Sequence, residues 1–177
     1  MTDRERPLLA AEDVAASDVA AHLLSDLGFT TSLQQIKPED ELLPGGDLFI
    51  ICGPKSASAA ALLIEQDPLL NIIDSDGHWS IIERTTGAMF QSPTDLYGDN
   101  SDIAYLSRRV ESGRVITHVA GLHAIGSLGA VTHLQSSADV IYGSVGERSF
   151  SLIVASRYDG LAILETETRY GPQRWNS

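Results

Sequence analysis

Residues 115–134 read as an apolar strand, a glycine-punctuated turn and the opening of a helix: Val-Ile-Thr-His-Val-Ala, then Gly-Leu-His-Ala-Ile-Gly-Ser-Leu-Gly, then Ala-Val-Thr-His-Leu. No other stretch narrows the choice of fold as much. A nearly continuous apolar run is buried on both faces, as in a parallel sheet covered by helices. A strand that feeds a helix through glycines leaves the helix's first amides unpaired, at the positive end of its dipole, above the sheet edge. Phosphate or carboxylate suits such a place. Gly121, Gly126 and Gly129 allow close backbone approach, and Ser127 adds a hydroxyl at the helix start. Gly121, Leu122, His123, Gly126 and Ser127 are therefore the expected ligand contacts. The competing reading is a tight turn with no ligand.

The loop departs from the known phosphate motifs. Ser127 and Leu128 stand where the Walker pattern needs Lys and then Ser or Thr, and the dinucleotide pattern G-x-G-x-x-G is absent. ATP hydrolysis is not expected. Ile125 stands where a hydrolase nucleophile elbow needs its first glycine.

A second strand-to-helix junction strengthens the ligand reading. Leu48-Phe-Ile-Ile-Cys52 is another continuous apolar run, closed by Gly53-Pro54-Lys55-Ser56 and followed by a helix over 58–65. If both strands are parallel, both loops open at the same carboxyl edge, where α/β sheets place ligands. Lys55 would supply a mobile cation, and Arg108 or Arg109 a bidentate partner. The alternative places these arginines on a solvated strand edge.

Charge distribution points to the arginines. The formal net charge is −12, which disfavours direct nucleic-acid binding. Residues 1–100 hold 17 acidic and 5 basic side chains, whereas residues 101–177 hold 7 of each. The locally neutral second part carries Arg108, Arg109 and Arg114 just before the glycine loop. The acidic first part reads as a solvated surface or a face for a basic partner.

The remaining segments fill in an α/β pattern. A short strand over 8–11, a helix closed by Gly28 and a second strand over 29–36 come first, then a turn over 37–41. Ser75-Asp-Gly77 joins two strand-like runs in a hairpin, and 88–91 forms a third arm. Residues 93–101 read as the longest loop, 103–106 as a short strand or helical turn, and 139–145 as a separate helix. Strands over 149–156 and 161–167 close the chain as an antiparallel hairpin, with 168–177 a loose tail. The expected fold is one α/β domain over 1–177, a Rossmann-like three-layer sandwich with a mostly parallel sheet, a β-meander insertion and this hairpin.

Cys52 at a strand end is a possible nucleophile with His123 as its base, but a buried inert thiol is the simpler reading. His118, His123 and His133 match no compact zinc spacing, so no metal is assigned, and no cofactor or catalytic residue either. A hydrophobic share of 43% with 20% charged residues is globular composition. No run approaches a membrane span, and the lone cysteine fits a reducing compartment, so a cytoplasmic protein without membrane contact is expected.

The order Asp47-Leu-Phe-Ile-Ile-Cys-Gly-Pro-Lys-Ser, Asp102-Ile-Ala-Tyr-Leu and Val119-Ala-Gly-Leu-His-Ala-Ile-Gly-Ser-Leu-Gly-Ala-Val resembles an uncharacterised bacterial Rossmann-like domain. Such domains are often attached to helix-turn-helix regulators. The resemblance covers roughly residues 8–167 and implies a ligand sensor of a signalling or regulatory system, without a DNA-binding module of its own. The function expected is a small-molecule or nucleotide-sensing module whose loop amides bind an anion, acting with a protein partner or as a homo-oligomer. The alternative is a non-catalytic interaction or scaffold domain.

Overall fold

A computed structural model describes residues 9–40 and 42–176. Four helices and eight strands follow in the order α1 (Ala11–Asp26), β1 (Leu48–Ile51), α2 (Ser58–Glu65), β2 (Leu70–Ser75), β3 (His78–Glu83), β4 (Met89–Gln91), α3 (Pro93–Tyr97), β5 (Ser101–Glu111), β6 (Arg114–Gly121), α4 (Ala124–Val145), β7 (Phe150–Asp159) and β8 (Ala162–Arg174). The main sheet has the order β1-β6-β5-β7-β8, and β2-β3-β4 form a second, smaller sheet.

The expected mostly parallel Rossmann-like sheet does not form. Only β1 and β6 are parallel; β6, β5, β7 and β8 pair antiparallel throughout. The reason lies in the connections. Ser112 and Gly113 both take positive φ, 50° and 76°, the geometry of a two-residue hairpin turn, so β5 returns directly as its neighbour β6. Parallel neighbours need a crossover of a dozen or more residues. Here that applies to β1 and β6 alone. The smaller sheet is the expected meander, turned by Asp76 and Gly77 at φ 56° and 85°.

Strand periodicity divides the core into two layers. Ala104, Leu106, Val119, Leu152 and Val154 face α1 and α4 on one side of the main sheet. Ile103, Tyr105, Ala120, Leu122 and Ile153 face the smaller sheet and α2 on the other. Each fully buried Leu, Ile or Val among them contributes about 1.5–3 kcal/mol. On α1 the buried stripe is Ala16, Ala20 and Leu23, whose helical spacing and small alanines bring the helix close against α4. Asp67 is buried between the layers. Its carboxylate accepts from the Leu69 and Leu70 amides at 2.8 and 3.0 Å and from the Tyr105 and Ser151 hydroxyls at 2.8 and 2.5 Å.

Several sequence expectations change. The strand proposed over 8–11 lies partly outside the described residues, and α1 already begins at Ala11. The strand over 29–36 is irregular and exposed, with Phe29 and Leu33 bare, and it joins neither sheet. The turn at 37–40 is present, its Lys37 amide donating to Asp40; Glu41 lies outside the described residues. The segment over 93–101 contains α3, with Pro93 at its first turn and Gly98 closing it at φ 72°. The short element at 103–106 is the middle of the eleven-residue β5. The separate helix at 139–145 is the end of α4, whose 22 residues run without a break. The loose tail is largely strand. β8 continues to Arg174, and Trp175 anchors it, its amide donating to Ser149 O at 2.9 Å and its indole to Ser151 Oγ at 2.6 Å. No described helix is long and apolar enough to cross a membrane.

Candidate functional site

The parallel pair sets the site. Ile51 lies opposite Val119, and the Cys52 amide donates to the Val119 carbonyl at 3.0 Å, so β1 and β6 end side by side. Beyond them the two loops face one cavity of about 230 Å³. Gly53, Pro54, Lys55 and Ser56 line it from one side, and Gly121, Leu122, His123 and Ser127 from the other. The two loops expected to lie together thus line one cavity. It also has walls that the sequence did not point to: Asp13 from α1, and Ile72 and Trp79 from the smaller sheet.

The glycines of the α4 loop are required by packing. A Cβ on Gly121 would overlap the His123 carbonyl and the Ser127 amide. One on Gly126 would strike the Asp102 carboxylate, and one on Gly129 the Ser156 side chain on β7. Gly126 does not line the cavity; it lets the helix start descend onto Asp102. The amides of this loop are mostly spent inside the protein. Gly121 N donates to Ser127 Oγ at 2.9 Å, Leu122 N to Ile103 O at 2.9 Å, His123 N to Asp102 Oδ2 at 2.9 Å and Gly126 N to His123 O at 3.0 Å. The anion at the foot of α4 is thus the protein's own Asp102. Among the described residues, no acceptor stands opposite the Ala124 or Ile125 amide.

Two basic side chains border the cavity. Lys55 Nζ lies 4.6 Å above the Trp79 ring and makes no ion pair with a described residue, so it is a held but uncommitted cation. His123 is gripped by two carboxylates, Nδ1 3.1 Å from Asp102 Oδ1 and Nε2 3.1 Å from Asp95 Oδ1. The hydrogen bond with the buried Asp102 raises its pKa above the usual histidine value. Asp102 and Asp95 occupy both ring nitrogens, which leaves His123 unsuited to act as base for a nearby nucleophile.

The Cys52 thiol is held above its ordinary pKa by burial and by the neighbouring Asp13, the opposite of an activated nucleophile. Ser127 is buried with its oxygen receiving the Gly121 amide. His118 is fully buried and bonded through Nε2 to the Cys52 carbonyl at 2.8 Å; burial pushes its pKa down to about 4. His133 lies between Thr166 and Thr168, 3.0 Å from each hydroxyl. No group of three or more His, Cys, Asp or Glu side chains placed to hold a metal ion occurs among the described residues.

Arg108 and Arg109 do not join the site. β5 runs antiparallel to β6, so Ala104 stands beside Gly121 while Arg108 stands beside Thr117, about 13 Å back along the strand. Arg108 donates to the carbonyls of Gly146 and Arg148 and lies over Phe150. Arg109 donates to Gln66 at 2.6 Å and lies over Trp175. Closeness in sequence to the loop became distance in space because a hairpin, and not a crossover, precedes β6.

Sequence reasoning missed Asp13, Trp79, Asp95 and Asp102. Asp102 carried a readable signal, a carboxylate immediately before the apolar run Ile103-Ala-Tyr-Leu106. The others depend on tertiary packing. No family model, curated protein or solved structure matches the chain.

Proposed function

We propose that this chain is a small-molecule binding module of a signalling or regulatory system, taking a compact anionic group between its two strand-to-helix loops. One observation carries this reading: both loops open onto a single cavity at the carboxyl edge of the parallel strand pair, with the uncommitted ammonium of Lys55 at its wall. The volume of about 230 Å³ lies below the roughly 300–1,000 Å³ of drug-sized sites. This favours a small carboxylate or phosphate metabolite over a whole nucleotide. The anion is held by Lys55 and by the Ala124 and Ile125 amides, since the other loop amides and both His123 ring nitrogens are already paired. A binding role is favoured over a catalytic one by the inert Cys52 thiol and the doubly occupied His123 ring.

Thermal unfolding of the full chain with inorganic phosphate, small carboxylates and nucleotides tests the reading. A small anion should raise the midpoint and lose its effect in Lys55→Met; no stabilisation by any of them would remove it. The second reading, a protein-interaction domain, draws on the bare side chains of Leu33 and Leu42, 84% and 87% exposed on the segment before β1. Concentration-dependent self-association lost in a Leu33→Ser, Leu42→Ser double variant, with no ligand response, would favour it.

A further inference from the structure

The cavity holds a negative group as well as a positive one. Asp13, in the first turn of α1, lines it, and its carboxylate has no hydrogen bond or ion pair with a described residue. Lys55 is equally uncommitted, and the two make no ion pair with each other. A half-buried carboxylate without a partner is costly, whereas the exposed ammonium of Lys55 at the same cavity is solvated and free to meet a second ligand charge. The third charged group, His123, is already balanced by Asp95 and Asp102. A simple anion would satisfy Lys55 and leave Asp13 facing a like charge.

We propose, building on the binding reading above, that the ligand is a zwitterion carrying both an amine and a carboxylate, of the size and class of an apolar amino acid. Its carboxylate meets Lys55 and the start of α4, and its ammonium meets Asp13. The rest of the wall supports an apolar body: Ile72, Trp79 and Leu122 face the same space. The cavity holds the volume of about eight waters at roughly 30 Å³ each, room for a molecule the size of leucine. A ligand without net charge also suits a chain whose formal charge is −12. Burial and the adjacent Glu12 hold the Asp13 carboxyl above its usual pKa, as expected where a charged partner is missing.

The test uses the full chain and matched triplets of ligands: leucine, 4-methylpentanoate, which lacks the amine, and 3-methylbutylamine, which lacks the carboxylate, with parallel sets for isoleucine, methionine and phenylalanine. Calorimetric titration should find at least one amino acid binding about tenfold or more tightly than both of its singly charged relatives, the worth of one charge-assisted hydrogen bond. Asp13→Asn should bring that amino acid down to the level of its acid, whose own affinity should hold or rise as the like charge is removed. Lys55→Met should weaken acid and amino acid alike. If an acid or inorganic phosphate binds as well as or better than every amino acid, the zwitterion assignment is overturned and the anion reading survives. If no acid, phosphate or amino acid binds, or if only the amine does, both are overturned. The wild-type comparison decides the matter even where a variant fails to fold.

Discussion

The two loops that flank the cavity look alike in sequence and behave differently in the fold. Each ends a buried strand with a glycine and opens a helix. Around Gly121 the glycines are steric necessities: backbone or side chain fills the space where each Cβ would stand. Around Gly53 there is room, the nearest atom to a Cβ being the Gly121 carbonyl oxygen at 4.0 Å. The first loop is a rigid wall, with its amides paired inside and a buried Asp102 beneath it. The second is an open rim that carries an uncommitted Lys55. A glycine loop therefore does not announce which of two jobs it does, wall or contact.

That contrast breaks most directly under alanine. Gly121→Ala should cost about 3 kcal/mol or more, or prevent folding, because two backbone groups would have to move. Gly53→Ala should stay within about 0.5 kcal/mol. Urea unfolding of the two variants checks both, and equal costs would erase the distinction between wall and rim.

The histidines sharpen it through pH. His118 ties β6 to the root of the Gly53 loop through the Cys52 carbonyl, and its folded pKa is lowered from 6.5 to about 4. A base with a depressed folded pKa binds fewer protons folded than unfolded, so stability is lost as pH falls from about 6.5 toward 4, by about 3 kcal/mol in total. His118→Gln should flatten that part of the profile. His123, on the wall, acts in the opposite sense. Its raised folded pKa adds stability that is full below the usual histidine pKa and fades as pH rises through the folded value. The effect should be smaller, since the ring is partly exposed. In Asp102→Asn, the His123 titration followed by NMR should fall toward the ordinary value; an unchanged titration would detach the wall from its buried carboxylate.

The smallest effect on stability belongs to the rim. Lys55→Met should change unfolding by no more than about 0.5 kcal/mol while removing the response to anions. A large loss of stability would make Lys55 a structural residue.

What the sequence made legible follows from local physics. Ser58–Glu65 and the hairpin at Asp76-Gly77 were readable because propensity and turn chemistry decide them within a few residues. The meeting of the two glycine loops was readable because both strand ends could be located. The direction of the main sheet was not, since Ser112-Gly113 read as an entry to β6 and its role as a hairpin reversal depends on how far β5 extends before it. The same misjudged connection put Arg108 and Arg109 at the site. Asp13 and Trp79 reach the cavity from elements distant in sequence, and no spacing rule links either to Gly121.

The central claim is that the two loops form one binding cavity with a fixed wall and a responsive rim. Amide NMR spectra of the full chain titrated with inorganic phosphate and with leucine test it directly. Shifts should concentrate at Lys55, Ser56, Ala124 and Ile125 and leave the surroundings of Arg108 and Arg109 unmoved. Shifts centred on those arginines, or none at any residue, would contradict it.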